Sequence, residues 1–423
     1  MFANLARKHG IFYGWIITVC AFLLVIVSVG LGVNCWGIFT IPVCDSLNIS
    51  RQAFSFFITA VMLGQMCGSL TLTKLINRFG ERGSMRMAAV ILPLAMANLA
   101  IVQNIVHFIA TGFVIGCFIP PIGFLMLSMI ISNWFCSLRG TAIGLAFMGS
   151  GLGSMILSPV INTGIETFGW RITVFLMGVF SAVITLPICY FLMIERPEDI
   201  GLYPDNIKIA SADASSVENL WGFTRAQVIK MPSFWLFVSF VLGIAMTLLG
   251  SSTTVPRLRD IGYTASSAAA VYSASMGAIA VFRFFGGRIC DKIGLYRASL
   301  IFGILLPSLP LGLIFADRIP FEAVLISLGM GCGNVISGIG YSMLAGKLFG
   351  RKYFSEVYGI VSAVNAFAGA ISPMICGTIY THFGSYLPAY YLILAIFISG
   401  YIFFCISIKI QNKWKAQNGI PLD

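Results

Sequence analysis

Residues 287–297 read Gly-Arg-Ile-Cys-Asp-Lys-Ile-Gly-Leu-Tyr-Arg, and residues 73–82 read Thr-Lys-Leu-Ile-Asn-Arg-Phe-Gly-Glu-Arg, a weaker copy of the same pattern. The spacing between the copies, 214 or 215 positions, recurs along the chain: Gly80 pairs with Gly294, Pro159 with Pro373, and Phe168-Gly169 with Phe383-Gly384. Agreement among these offsets indicates two copies of one structural unit. We therefore expect a chain built from two similarly folded halves.

The composition indicates the solvent that surrounds these halves. Of 423 residues, 58% are hydrophobic and 10% are charged, against about 25% charged in soluble domains, and the mean hydropathy is +0.93. So few charges cannot coat a soluble fold of this size. The eleven cysteines form no Cys-x-x-Cys pair, so neither a zinc site nor a disulfide framework is supported. The composition favours a membrane protein and argues against a soluble enzyme, a nucleic-acid binder, a disordered chain and a secreted disulfide scaffold.

Twelve apolar stretches are long enough to cross a bilayer, because a crossing takes about 20 apolar residues. They lie near residues 12–41, 52–74, 84–103, 106–133, 139–165, 171–194, 232–255, 265–288, 297–316, 320–347, 356–381 and 387–408. Backbone polar groups in lipid must be satisfied within each segment, so these spans are predicted to be helices. The predicted fold class is an all-α membrane protein with twelve transmembrane helices in two six-helix halves. One long connection divides them: the N-terminal half is 1–194, the central cytoplasmic loop is 195–231 with a polar run at 211–216, and the C-terminal half is 232–423.

The positions of lysine and arginine predict the orientation. When both termini lie in the cytoplasm, the inner segments hold 21 of the 26 Lys and Arg residues, Arg7 and Lys8 among them, and the outer segments hold five. This asymmetry follows the positive-inside rule. The net charge of +11 is therefore a topology signal that needs no acidic partner. We expect a multi-pass protein of the cytoplasmic (inner or plasma) membrane with both termini inside.

The loop after the eighth predicted span resembles the major facilitator superfamily motif Gly-x3-Asp-[Arg/Lys]-x-Gly-x-[Arg/Lys]-[Arg/Lys]. Four positions fit it, Gly287, Asp291, Lys292 and Gly294, and Arg297 supplies the trailing base one place late. The resemblance implies two parallel six-helix halves with a substrate site between them near the membrane midplane. An Asp in this motif can face the positive N-terminus of a neighbouring helix, and so latch the cytoplasmic side. We expect that neighbour to be the eleventh span.

The copy after the second span departs from the motif at its two most distinctive positions. Thr73 replaces the first glycine and Asn77 replaces the aspartate, although Arg78 and Gly80 are retained. Asn77 can offer only a neutral hydrogen bond. We therefore expect Asp291 to act as a latch and Asn77 to do so much less.

Residues 134–153 read Trp-Phe-Cys-Ser-Leu-Arg-Gly-Thr-Ala-Ile-Gly-Leu-Ala-Phe-Met-Gly-Ser-Gly-Leu-Gly. They resemble the monocarboxylate transporter signature [Tyr/Trp]-Phe-x-Lys-Arg-Arg-x-Leu-Ala-x-Gly-Leu-Ala-x-Ala-Gly-Ser-x-x-Gly. Weaker motifs before the seventh span and after the sixth resemble bacterial relatives of that family, including the oxalate/formate antiporters. The recurring glycines favour close packing of a neighbouring helix. Ser150, near mid-span, is a candidate substrate contact, and Arg139, at the cytoplasmic helix start, is a candidate latch or topology residue.

Arg283 differs from the other charged residues because it is predicted to lie within a span. It precedes Asp291 by eight residues, which is about 12 Å along a helix. A guanidinium at that depth is costly unless it lines water or meets an anion. No Asp or Glu lies deep in any predicted span, so we expect an anionic ligand to be its counter-ion. The alternative is that the side chain snorkels to the cytoplasmic surface.

The family resemblance also points to Arg283, because monocarboxylate transporters carry an arginine in the corresponding helix. Their aspartate one turn earlier falls at Ile279, the second cation of the oxalate-type relatives falls at Asn365, and the helix 1 lysine falls near Asn34. One arginine without a second cation favours a monoanion. Asn34 and Asn365 could donate hydrogen bonds to it or join helices. Tyr272, Met276 and Ile279 share the helical face of Arg283 and are expected to line its cavity.

The sequence thus predicts a transporter that moves a small monocarboxylate anion by alternating access. It contains no nucleotide, metal or cofactor motif, it is not predicted to be an enzyme, and one chain in the bilayer is expected to suffice. Symport with a proton, exchange and facilitated diffusion all remain open. The alternatives are transport of another organic anion such as oxalate, transport of a neutral solute, and a transporter-like sensor that binds without moving its ligand.

Overall fold

A computed structural model of the chain describes residues 12–49, 51–206, 221–249, 253–318 and 321–418. The polar run predicted at 211–216 and the N-terminal bases Arg7 and Lys8 lie outside these residues. The described chain is helical, and its one β-type contact is an isolated bridge between Gly222 and Gly350.

The α-helices are numbered along the chain. They are α1 Tyr13–Val25, α2 Thr40–Leu47, α3 Arg51–Asn98, α4 Ile105–Phe118, α5 Phe124–Trp134, α6 Arg139–Pro187, α7 Arg225–Ile229, α8 Pro232–Leu249, α9 Thr254–Asp260, α10 Ala265–Ile293, α11 Leu295–Leu305, α12 Ser308–Ile314, α13 Glu322–Val335, α14 Tyr341–Phe349, α15 Phe354–Phe383 and α16 Leu387–Gln417. The all-helical fold class predicted from the sequence is confirmed.

Within the described residues, nine helical segments are long and apolar enough to cross a membrane. The two longest, Phe54–Ile101 and Arg139–Leu192, span 48 and 54 residues, roughly twice what one crossing needs. Each contains a glycine outside helical geometry, Gly80 in α3 and Gly169 in α6, where the chain changes direction. Division at these glycines, together with the shorter apolar helix Pro232–Leu248, is compatible with twelve crossings, and the twelve-helix count stays a prediction.

The backbone repeats where the sequence repeats. Gly80 and Gly294 both have positive φ, at 74° and 86°, and Gly169 and Gly384 have φ of 78° and 65°. Side chains with a Cβ rarely adopt this region, so glycine is the residue that allows the reversal between consecutive helices. The offset of 214 therefore joins two glycines of similar conformation, with ψ of 172° and 146°, and the offset of 215 joins two glycines that share a positive φ.

Three predicted spans are interrupted near their middle. The first passes from α1 into a π-helical turn, Ile26–Leu31, and then a 3₁₀ segment, Asn34–Phe39. The fourth is broken by the 3₁₀ turn Pro120–Ile122 and the tenth by the π-helical turn Ile336–Gly340. Position 122 lies 214 before position 336, so the last two breaks correspond in the repeat. Interrupted spans at matching positions of two halves indicate where a transporter holds its substrate.

The chain divides into two compact units. Unit 1 comprises Met1–Ser215 together with Arg283–Lys292. Within it, α1 and α6 approach closely because α6 carries glycines at the contact. A Cβ on Gly149 would lie 2.5 Å from the carbonyl oxygen of Phe22, and one on Gly153 would lie 2.9 Å from Ile26. The glycine stripe of α6 is therefore a packing surface, as its spacing predicts.

Unit 2 comprises Ser216–Phe282 and Ile293–Asp423. Helices α8 and α16 pack along their length, with the rings of Phe240 and Phe404 stacked at 4.2 Å. At the end of α16, Lys415 is buried, donates from Nζ to the carbonyl oxygen of Lys347 at 2.7 Å, and lies 5.1 Å from the Trp221 ring centroid. These contacts anchor the part of the predicted central loop that leads into α8.

Candidate substrate site

Arg283 lies in the long helix α10 and is 4% exposed. Its Nη1 donates to the carbonyl oxygen of Phe147 at 3.0 Å and to the hydroxyl Oγ of Ser150. Both acceptors belong to α6, and both are neutral. The structure therefore holds the guanidinium inside unit 1 rather than at a helix end.

An aromatic ring also lies beside this guanidinium, and a second ring packs against the first. The ring centroid of Phe124, the first residue of α5, lies 5.1 Å from the Arg283 Cζ. The Phe124 and Phe147 rings are 4.4 Å apart at their centroids. A cation over an aromatic face is stabilised electrostatically, and more so where water is scarce. The Phe124 ring therefore stabilises the charge of Arg283.

A chain of neutral polar groups continues from Ser150 along α6. The Ser154 hydroxyl donates to the carbonyl oxygen of Ser150 at 2.7 Å. The Asn34 amide Nδ2 donates to Ser154 Oγ at 3.0 Å and to the Ser150 carbonyl at 3.4 Å. Asn34 is exposed and stands at the start of the 3₁₀ segment that interrupts the first span. Two of the sequence-predicted site residues, Asn34 and Ser150, are thus brought together with Arg283 in unit 1.

Asp291 binds the N-terminus of α6. Its Oδ1 accepts from the Gly140 N–H at 2.8 Å, and its Oδ2 accepts from the Thr141 N–H and hydroxyl, both at 2.7 Å. We predicted that Asp291 would contact the eleventh span, and this prediction was wrong. Its partner is α6, the helix that begins at Arg139. The first turn of that helix has backbone N–H groups without helical acceptors and a positive dipole end, so a carboxylate is favoured there.

Small residues make this approach possible. A Cβ on Gly140 would lie 2.6 Å from both Asp291 Oδ1 and the carbonyl oxygen of Gly287, and a Cβ on Gly287 would overlap the carbonyl oxygen of Gly140. The motif glycine at Gly287 is therefore required by close backbone contact with α6. Lys292 and Gly294, the next motif positions, are exposed, and Gly294 ends α10 with φ of 86°.

The first motif copy behaves differently within unit 1. Asn77 is exposed, and among the described residues its side chain has no hydrogen bond. Arg78 is exposed and lies over the neighbouring Phe79 ring at 5.3 Å. Gly80 provides the reversal in α3. The side-chain chemistry of the two copies thus differs, although their terminal glycines share one conformation.

Arg139 is buried at the first residue of α6, and two of its hydrogen bonds go to the end of the preceding helix. Its Nε donates to the carbonyl oxygen of Phe135 at 3.2 Å and its Nη2 to that of Ser132 at 3.0 Å. These carbonyls lie at the C-terminal end of α5, where a cation is favoured by the helix dipole. Arg139 therefore caps α5, and its predicted role as a latch or topology residue stays a prediction.

The other predicted site residues lie in unit 2. Ile279 is buried in a hydrophobic cluster with Leu309, Leu313, Ile314, Ile326, Met330 and Tyr390, and Met276 packs against this cluster. Tyr272 and Asn365 are partly buried. The described part of unit 2 offers the Asn365 amide no hydrogen bond. The structure gives Ile279 and Met276 a packing role; their predicted role in lining the cavity stays a prediction.

Sequence reasoning missed Phe124 and Phe147 as neighbours of Arg283, and Ser154 as a member of the adjoining polar chain. Ser154 follows Ser150 by one helical turn, so its spacing was a usable signal. Phe124 follows the Pro120-Pro121 pair that breaks the fourth span, and a break at mid-span was a second signal. Phe147 accepts the hydrogen bond of Arg283 through its backbone oxygen, and a pattern of side chains does not predict such a contact.

Charged residues between the second and third predicted spans contact the start of the predicted central loop. Glu195 accepts from the Arg82 N–H at 2.6 Å, and Asp199 Oδ2 lies 3.2 Å from Arg82 Nη2. Glu81 lies beside these acids. Burial, and then the charge of Glu195, raise the pKa of the Glu81 carboxyl above its usual range, while Arg196 opposes the shift.

Comparison with known proteins agrees with this architecture. The family model described as Major Facilitator Superfamily matches residues 20–373 and 235–418. The solved structure of the proton:xylose symporter XylE, bound to 6-bromo-6-deoxy-D-glucose, superposes with a TM-score of 0.71 at 16% identity, covering 92% of this chain and 95% of that one. At this identity the likeness shows the fold alone.

The relatives found by sequence are transporters. Monocarboxylate transporter 11 of Homo sapiens is 24% identical over 413 residues, covering 92% of this chain and 81% of the relative. The oxalate:formate antiporter of Oxalobacter formigenes is 24% identical over 379 residues, covering 88% and 86%. The predicted membership and the prediction of a protein without enzymatic activity are confirmed. The chain belongs to the Major Facilitator Superfamily and is a membrane transporter, not an enzyme.

Proposed function

We propose that this transporter carries a small monocarboxylate anion across the cytoplasmic membrane by alternating access, and that Arg283 pairs with the carboxylate. The observation that carries the proposal is a guanidinium, 4% exposed, held by a hydroxyl, a carbonyl and an aromatic ring inside a predicted span. A guanidinium stays charged under all ordinary conditions. A charge kept at such depth is costly and marks a substrate or ion pathway by default.

The chemistry of arginine favours a carboxylate as the ligand. Its planar fork matches two carboxylate oxygens, giving two parallel charge-assisted hydrogen bonds. The relatives named monocarboxylate transporter 11 and oxalate:formate antiporter support an anionic small molecule. Asn34 and Ser150, which lie in the same polar cluster, would orient the ligand.

The absence of charge at Asn365 supports a monoanion. A second carboxylate would have to be desolvated without a cation in that position, at a cost of several kcal/mol. The second candidate is a dicarboxylate such as oxalate, which the antiporter relative supports. The two candidates differ in whether unlabelled oxalate competes with a labelled monocarboxylate.

For the orientation in the membrane and the division into two halves, we propose what the sequence predicts. Both termini are proposed to face the cytoplasm, and the halves 1–194 and 232–423 are proposed to rock about the site, joined by the loop 195–231. One chain is proposed to be sufficient. Proton symport, exchange and facilitated diffusion are all compatible with the proposed site.

Uptake into proteoliposomes tests the proposal. Wild-type protein should accumulate or exchange a labelled short monocarboxylate such as lactate or formate, and Arg283→Gln should reduce uptake by at least about 100-fold, since the charge and the fork are both lost. Arg283→Lys should also be poor, because an ammonium is a point charge that cannot form the planar pair.

Arg259→Gln is the matched control, because Arg259 is an exposed arginine outside the cluster. It should transport as the wild type does. Wild-type uptake by Arg283→Gln would contradict the assignment of Arg283. Binding without any uptake or exchange would favour the sensor, and uptake of neutral solutes alone would exclude an anion carrier.

A further inference from the structure

Phe124 forms a wall on one side of the Arg283 guanidinium. Its ring is partly exposed, whereas the next three residues, Leu125–Leu127, are buried. The ring centroid is 5.1 Å from Arg283 Cζ. The Phe147 ring, whose centroid is 4.4 Å from that of Phe124, is fully buried. Of these two aromatic residues, Phe124 is therefore the one that a ligand can reach.

The break in the fourth span fixes where this ring stands. The 3₁₀ turn Pro120–Ile122 is followed by Gly123 in an extended conformation, and α5 begins at Phe124. A Cβ on Gly123 would lie 2.8 Å from the Ile119 carbonyl oxygen, so a larger residue would disturb the turn. The first side chain after the turn is thus held at the corner of the break, beside the cation.

The geometry of a carboxylate–guanidinium pair determines what such a wall would exclude. The paired carboxylate lies in the guanidinium plane because both groups are planar and bind through two parallel hydrogen bonds. Substituents on the tetrahedral carbon next to the carboxylate project above and below that plane. We therefore expect a ring beside one face of the pair to admit a hydrogen on that side of the Cα and to exclude a methyl group.

We propose that Phe124 determines specificity by admitting carboxylates whose Cα keeps a hydrogen toward the ring and by excluding those with a fully substituted Cα. This inference rests on the proposed pairing of Arg283 with a carboxylate. It defines the ligand class further: small carboxylates with an unbranched or singly branched Cα. It also gives Phe124 a role in selecting among carboxylates, in addition to stabilising the Arg283 charge.

Two isomeric acids provide a direct test. Pentanoate and 2,2-dimethylpropanoate have the same atoms and charge, but only the second must place a methyl group on the ring side. Ligand-dependent thermal stabilisation of the purified protein gives the half-saturating concentration of each. In the wild type we expect pentanoate to bind at least about 10-fold more tightly, the scale of a methyl-sized clash in a pocket.

Phe124→Ala should reduce this ratio to below about 3-fold, chiefly by improving the binding of the branched acid, because the wall is removed. Phe124→Tyr, which keeps the ring, should retain the wild-type ratio. Phe124→Leu gives a second variant without a ring if Phe124→Ala fails to melt cooperatively, and it should narrow the ratio as well.

The proposal is overturned if the wild type binds both acids equally well, or if the ratio persists in a folded variant without the ring. Failure of the proposed function has a different signature. In that case the wild type binds neither acid, or Arg283→Gln binds both as the wild type does.

Discussion

The hydrogen-bond acceptors of three buried or half-buried arginines in unit 1 distinguish two tasks. Arg139 donates to carbonyls at the end of α5. Arg171 donates to the carbonyl oxygens of Ala100 and Val102 at 2.8 and 2.6 Å. Both satisfy backbone acceptors where a helix ends, which is a structural role. Arg283 donates to a hydroxyl and to a mid-helix carbonyl instead, and this difference singles it out.

A substitution at Asn365 tests whether the lack of a second cation makes the transporter prefer a monoanion. Asn365→Lys would add a cation at the position where oxalate-type relatives are expected to have one. Uptake of a labelled monocarboxylate should fall by about 10-fold or more, because two cations sharing one desolvated anion repel each other. The variant should gain inhibition by oxalate, measured by competition in proteoliposomes. If oxalate already inhibits the wild type as strongly as lactate or formate does, the single-cation argument is wrong.

At the element scale, α6 has three functions, and the residues that serve them alternate along its sequence. Its N-terminus binds Asp291, its glycines pack against α1, and Ser150 and Ser154 face the polar cluster. The same residues that resemble a transport signature are therefore divided among capping, packing and the site. The division follows from which neighbour meets each face of the helix.

Asp291→Asn tests the N-terminal contact of α6. The substitution keeps the side-chain size but removes the charge and one of the two acceptor oxygens, so three charge-assisted hydrogen bonds are weakened or lost. We expect a loss of about 1–3 kcal/mol of stability, seen as a lower melting temperature, and impaired transport. Asn77→Ala is the matched control from the first motif copy. Equal effects of the two substitutions would contradict the latch assignment.

The contact between α3 and the start of the predicted central loop makes stability depend on pH through Glu81. Burial and Glu195 raise the folded-state pKa of this carboxyl above its ordinary value of 4.5. In the window between the unfolded and folded pKa values the folded state binds more protons, so stability falls as pH rises through that window. Glu81→Gln should therefore raise the melting temperature at pH 7 and leave it nearly unchanged near pH 4. A melting temperature lowered equally at both pH values would show that the cause of the shift is misassigned.

For the whole molecule, the asymmetry of lysine and arginine predicts one orientation. Alkaline phosphatase fused after Glu166 should be active outside the cell, because that residue directly follows the outer end of the predicted fifth span. The same enzyme fused after Arg196 should be inactive, and a green fluorescent protein there should fluoresce. Reversed activities at the two sites would overturn the proposed orientation.

The sequence predicted the family, the helical class and the Asp291 motif because these depend on local pattern: apolar length, glycine placement and charge spacing. It also placed Asn34, Ser150 and Arg283 in one candidate site. It failed where distant segments meet. The partner of Asp291 was predicted as the eleventh span, but the carboxylate binds α6, and the Phe124 ring was not foreseen at all.

The sequence by itself determined that the chain is a membrane protein built from repeated helices. In lipid, a single apolar segment can satisfy its backbone hydrogen bonds internally only as a helix. The sequence also determined that Arg283 stands inside a span, since position along a helix follows from counting residues. Only the tertiary structure decided that α6 supplies the hydroxyl, the carbonyl and the N-terminus that hold α10 at Arg283 and Asp291. The reason is that helix pairing depends on shape: Gly140 and Gly287 let two backbones meet, and the span break at Gly123 brings Phe124 beside the charge.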